Sequence, residues 1–232
     1  MHLKSVIGLV IALWLASPAS GRQAAVELVS PVQKIPRDEF KTWSLFLVCN
    51  ADWVAPERSA DLANLYRRFQ SFGDAIGPDN LAVWFWKRQV PLHDPKLAEN
   101  VDVARSAEFC RALKKPPSQG PYLVVTSEYP EVKVFPSERA IFELGNLQPK
   151  ELSTLLGSLT DQLLLSGRIE TQIEAARAKA LPAGSPPSPQ PPTSSLWIRL
   201  LEGARQSMIG FGCNVKIQVD TGLFNAELRQ CQ

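Results

Sequence analysis

The sequence predicts an α/β fold. Three observations carry this. Apolar runs of strand length alternate with segments of helical period. A run of prolines separates a long first part from a short last one. The 232 residues suffice for one good core with appendages. Composition is ordinary for a globular chain, 45% apolar and 21% charged. Lys+Arg 25 against Asp+Glu 23 leaves a formal net charge of +2, which gives no electrostatic case for a nucleic-acid partner.

Residues 1–21 read as an export signal. Lys4 is the only charge before Arg22, Ser5 to Ala16 is an apolar run, and Ser17-Pro18-Ala19-Ser20-Gly21 follows. These are a positive n-region, a short h-region and a small-residue cleavage zone, with cleavage fitting after Ala19 or Gly21. The run falls short of the ~20 residues that span a bilayer, and an uncleaved anchor is the alternative. No cysteine follows it directly, which argues against a bacterial lipoprotein anchor, and no later apolar run is long enough to cross a membrane. The expected location is periplasmic or secreted, with no membrane contact after cleavage. Residues 22–37 form an N-terminal extension, and 38–180 the main domain.

Within that domain, Ser44 to Cys49 is the first apolar run of strand length, ended by Asn50-Ala51-Asp52. Pro56 stands where a helix can begin. Leu62, Leu65, Tyr66, Phe69, Phe72 and Ile76 then recur at three- and four-residue spacing and form one helix face. Gly77-Pro78-Asp79-Asn80 stops that helix. Leu81 to Trp86 is apolar on both faces, as a central buried strand is, so Trp84-Phe85-Trp86 reads as core. A short helix is predicted from about Arg105 to Lys114, and a third strand from Pro121 to Thr126, with its proline at the position where a missing N–H costs least. Val132 to Phe135 and Ala140 to Leu144 read as a hairpin. A last helix begins near Pro149, carries Leu152, Leu155, Leu156, Leu159 and Leu163 on one face, and continues to about Ala180.

Residues 181–193 hold six prolines in 13 positions and read as an extended, semi-stiff linker. Residues 194–232 form a second unit. Ser194 or Ser195 can cap a short helix with Leu196, Trp197, Leu200 and Leu201. Asn214 to Leu228 reads as a hairpin around Thr221-Gly222. Pairing Asp220 with Leu223 sets Val219 opposite Phe224, Ile217 opposite Ala226, and Lys216 opposite Glu227. A one-residue slip would face Val and Ile with Arg and Glu. This register brings Cys213 and Cys231 to the open end, where a disulfide is expected. So small a unit needs such a staple or a docking surface.

Four cysteines, Cys49, Cys110, Cys213 and Cys231, allow three pairings in an oxidising compartment. None lies in a C-x-x-C, so neither a redox dithiol nor a zinc knuckle is written here. Cys49 and Cys110 read either as buried small hydrophobes or as a structural disulfide. Histidine is confined to His2 and His93. No metal site and no cofactor are expected, and His93 reads as a solvated loop residue.

Several short motifs, in order, resemble those of the thioredoxin-like superfamily over about Asp38 to Leu164. Ala51-Asp52-Trp53-Val54-Ala55-Pro56-Glu57 is similar to the stretch that leads into Trp-Cys-Gly-Pro-Cys, with Val54 and Glu57 at the two cysteine positions. Asn100-Val101-Asp102 resembles an Asn-Ile-Asp that follows the second core strand, and Gly120-Pro121-Tyr122-Leu123 resembles the Ile-Pro-Thr-Leu turn whose proline is cis. The order strand, helix, strand, helix, strand, strand, helix also fits. The loop from Arg88 to Glu99 and the proline-linked tail depart from the pattern.

The resemblance implies a thioredoxin-like three-layer sandwich, followed here by the Pro-rich linker and the small C-terminal helix and hairpin. It also implies a cis Gly120–Pro121 bond and a protein-binding groove at Trp53, Pro56, Pro121 and Tyr122. Dithiol exchange needs a thiolate at the helix start and a resolving thiol three residues on. Val54 cannot attack and Glu57 cannot resolve. Glu57 suits the positive end of the helix dipole. The family's buried carboxylate aligns with Val48. No catalytic residue is therefore assigned. The expected function is an exported, non-catalytic thioredoxin-like module that binds a protein partner. The alternatives are a thiol-dependent redox enzyme using Cys49 or Cys110, and a structural subunit of a cell-envelope assembly.

Overall fold

Two strands buried along their whole length, β2 (Thr42–Leu47) and β3 (Asn80–Trp86), run parallel at the centre of a mixed sheet. Burial along the whole strand is the pattern of strands covered on both faces. The computed structural model describes residues 25–29, 33–37, 40–88, 96–116, 119–180, 200, 203, 216–221 and 225–229. The signal segment, His93, the linker 181–193, Leu196, Trp197, Cys213 and Cys231 lie outside them, and so does the disulfide expected in the tail.

Helix α1 (Ser59–Ala75) connects β2 to β3. It buries Leu62, Leu65, Tyr66, Phe69 and Phe72, the face its spacing predicts. Gly77, at φ +81°, ends it in the left-handed conformation that suits glycine. Asn80 closes this turn. Its amide donates to the Ile76 carbonyl at 2.6 Å, and its Oδ1 accepts from the Thr42 hydroxyl at 2.6 Å, which ties β3 to β2.

After β3 come α2 (Leu97–Asn100), α3 (Val103–Ala112), β4 (Tyr122–Thr126), β5 (Glu138–Glu143) and α4 (Pro149–Ala180). The Asn100-Val101-Asp102 stretch is a junction. Val101 bridges Trp86, Asn100 Oδ1 accepts from Arg88 Nε at 2.7 Å, and Asp102 caps α3 by accepting from the Arg105 amide at 2.9 Å. The Gly120–Pro121 bond is cis, as expected.

The strand order is β1-β3-β2-β4-β5-β6-β7, where β1 is Ala25–Val29, β6 Lys216–Thr221 and β7 Asn225–Arg229. Pairing is parallel at β1–β3 and β2–β3 and antiparallel beyond β2. Helices cover both faces of the central strands. Phe46, Trp84, Trp86, Leu123, Val125 and Phe142 pack against α1 and α4. Leu45, Cys49, Val83, Phe85, Val124 and Ile141 pack against α3. Tyr66 sits edge-on to Trp84 and Trp86 at ring-centroid distances of 5.5 and 5.0 Å, so that aromatic run is core.

Four features depart from the sequence reading. A strand, β1, stands inside the N-terminal extension and completes the edge beside β3. The first half of the expected Val132–Phe135 hairpin is absent: residues 132–134 are a bend, and Val134 is 77% exposed. The sheet gives that segment no place, because β5 occupies the free edge of β4 and β6 that of β5. The tail hairpin forms, but Val219 pairs with Ala226, Ile217 with Leu228, and Lys216 with Arg229. The true register is two residues away from the expected one. An even slip keeps every side chain on its face, so alternation cannot detect it. Lastly, the tail is part of the main sheet. β6 pairs with β5 from Glu138↔Thr221 to Phe142↔Ile217, and Leu200 is fully buried in the core between the sheet and α4.

Candidate functional site

The site lies where β2 ends and α1 begins. Asn50 caps a 3-10 turn, Ala51–Val54, by accepting from the Asp52 amide at 2.9 Å, and its own amide donates to the Asp52 carboxylate at 3.2 Å. The turn drives the Trp53 indole inward, where it packs on the core shared by α1 and α4 and keeps 7% of its surface. Pro56 opens a second 3-10 turn, Pro56–Arg58, that runs into α1. Arg58 then lies flat over Trp53 with its guanidinium carbon 3.6 Å from the ring centroid, and its Nε donates to Asp61 at 3.3 Å.

Two further loops face this turn. Gly120, at φ +107°, aims the chain into the cis bond. The Leu144 amide donates to the Pro121 carbonyl at 2.8 Å, bringing Gly145 against Gly120. A Cβ on Gly145 would run into the Gly120 carbonyl oxygen. Between the loops is a cavity of about 380 Å³ lined by Asn50, Asp52, Trp53, Arg58, Gln119, Gly120, Glu143, Gly145 and Asn146. Its side chains are polar apart from the Trp53 ring. Glu143 is its buried carboxylate, 8% exposed, with one long contact from the Asn146 amide at 3.5 Å.

The four expected binding residues separate here. Trp53 lines the cavity. Pro121 is buried and follows Gly120, which lines the cavity, but is not itself among the lining residues. Pro56 is exposed on the 3-10 turn. Tyr122 is 1% exposed and packs on the α3 side of the sheet, its hydroxyl donating to the Pro116 carbonyl at 3.3 Å. Burial pushes its ionisation well above the ordinary tyrosine range, and the Glu143 charge adds to the effect. Val54 is half-buried and Glu57 exposed at the helix start, while Val48 is core. Cys49 and Cys110 form a disulfide on the α3 side of the sheet, with their Cα atoms 6.4 Å apart.

Sequence reading missed Arg58, Gln119, Glu143, Gly145 and Asn146. The available signals were a charge, Glu143, inside the apolar run Ala140 to Leu144, and the turn dipeptide Gly145-Asn146 after it. Comparison with protein-family models, curated proteins and solved structures finds no match to this chain. Among the described residues no group of three or more His, Cys, Asp or Glu is placed to hold a metal ion, and no helix is long and apolar enough to cross a membrane.

Proposed function

We propose that the chain is an exported, thioredoxin-like module that binds an extended protein segment and performs no dithiol chemistry. One observation carries the reading: Trp53 and Gly120, the residue before the cis Pro121, border the same open polar cavity, at the place where the thioredoxin resemblance puts a substrate groove. The element order supports it, since β2, α1, β3, α3, β4, β5 and α4 follow one another as that resemblance implies. Polar side chains around one aromatic ring, with the half-buried Gly145 beside them, suit a peptide whose own amides need partners.

The cysteines weigh against the redox alternative. Both described thiols are consumed in the Cys49–Cys110 disulfide, and those residues are 4% and 0% exposed. A catalytic sulfur needs a thiolate that a substrate can reach. The same disulfide suits an oxidising compartment and so supports export.

Two measurements test the proposal on the full mature chain. In an insulin-reduction assay with dithiothreitol, no turnover above background is expected; turnover abolished by Cys110→Ser would establish the redox alternative. In an NMR titration with a set of short extended peptides, the expected shifts fall on Trp53, Gly120 and Asn146. Peptide binding confined to other surfaces would sink the assignment of the groove.

A further inference from the structure

The charges lining the cavity do not balance. Among the described residues that line it, Arg58 is the one cation, and that guanidinium is already engaged, donating to Asp61 and stacked on Trp53. Asp52 and Glu143 remain as its carboxylates. Asp52 is exposed and held by Asn50. Glu143 is different: it is more than nine-tenths buried, lines the cavity, and has a single weak contact with a neutral amide and no salt bridge among the described residues. A carboxylate removed from water is costly unless a charge or several donors meet it. Here the side open to a visitor is the cavity itself.

We infer that this cavity recognises a basic side chain, the ammonium of lysine or the guanidinium of arginine, in the segment that the module binds. Glu143 accepts from the cation at the inner wall and Asp52 at the mouth, while the amide oxygens of Gln119 and Asn146 offer further acceptors for a group with several N–H donors. A volume of about 380 Å³ is at the small end of ligand sites and admits one long side chain together with the backbone that carries it. The stacking of Arg58 on Trp53 shows that this aromatic wall accommodates a planar cation. The inference rests on the peptide-binding reading and specifies its ligand.

The test uses the full mature chain and three probes, the acetylated and amidated tripeptides Gly-Lys-Gly, Gly-norleucine-Gly and Gly-Glu-Gly, followed by NMR. The lysine peptide is expected to shift Trp53, Gly120 and Asn146. The norleucine peptide, of like shape but uncharged, should bind about tenfold more weakly, as the loss of a charge-assisted hydrogen bond implies. Glu143→Gln and the surface change Asp52→Asn should each weaken lysine-peptide binding and leave norleucine-peptide binding unmoved. Asp52→Asn keeps the test decisive if the buried substitution harms folding. Equal binding of the lysine and norleucine peptides, or tighter binding of the glutamate peptide, would overturn the cation inference and leave the groove standing. No shift at these residues with any of the three would overturn both.

Discussion

Cys49, two residues beyond the end of β2, is covalently joined to Cys110 in α3 across 61 residues of chain, inside the core on the α3 side of the sheet. The bond fastens α3, the helix that covers that face among the described residues, to the strand that leads to the cavity. Closing a loop of that length restricts the unfolded chain by about 4 kcal/mol in the chain-entropy account. The Cys49→Ser/Cys110→Ser double variant should therefore lose most of that amount in urea unfolding. Neither cysteine should react with iodoacetamide in the native protein, as mass spectrometry would show. Rapid alkylation of either one without reductant would contradict the bonded, buried pair.

Glycines 145 and 157 should respond to alanine in opposite directions. At Gly145 a Cβ meets the Gly120 carbonyl oxygen, a backbone atom that cannot swing aside. Gly145→Ala should cost about 1–3 kcal/mol, as overpacking does, and weaken peptide binding at the cavity. At Gly157, exposed on α4, a Cβ meets nothing within 4 Å. Gly157→Ala should stabilise the protein by about 0.5–1 kcal/mol through helix propensity alone. Thermal denaturation of the two variants beside the parent measures both.

Tyr122 supplies a pH dependence. Burial first, and the Glu143 charge second, favour its neutral form and raise its pKa in the folded state. A raised pKa means that its contribution is fully present below the unfolded value of about 10 and is lost as pH rises through the folded value. Tyr122→Phe should remove that alkaline loss, so the variant and parent should converge in stability as pH is raised. At neutral pH the variant should be about 1 kcal/mol less stable for want of the hydrogen bond to Pro116. Tyrosinate absorbance and urea unfolding, each measured against pH, would test this; a difference between the two proteins that does not vary with pH would refute it.

Leu200 measures how firmly the tail is held. Its side chain is fully buried in the core beside α4, and nearby the Ser158 hydroxyl donates to the Gly203 carbonyl at 2.8 Å. Leu200→Ala should cost about 2–5 kcal/mol, in the range of large-to-small core substitutions. A change at an independent, separately folding tail would leave the main unfolding transition unmoved. Calorimetry of the variant distinguishes the two outcomes.

Periodicity in the sequence determined most of the central elements. Runs of apolar residues located β2, β3 and β4, and three-and-four spacing located α1 and the buried face of α4, because burial on one or two faces imposes its period locally. Trp53, which lines the cavity, was singled out in the sequence through its motif. The parity of the tail hairpin was legible too, but not its register, since a slip of two residues preserves every face. What only the tertiary structure decided involves partners far apart in the chain. The place of β1 beside β3 and of β6 beside β5 depends on which sheet edges remain open. The bond between Cys49 and Cys110 depends on where α3 packs. The cavity is assembled from segments that are separate in sequence, and Glu143 lines it because β5 ends there. Side-chain pattern records how much of a residue is covered; it does not record what covers it.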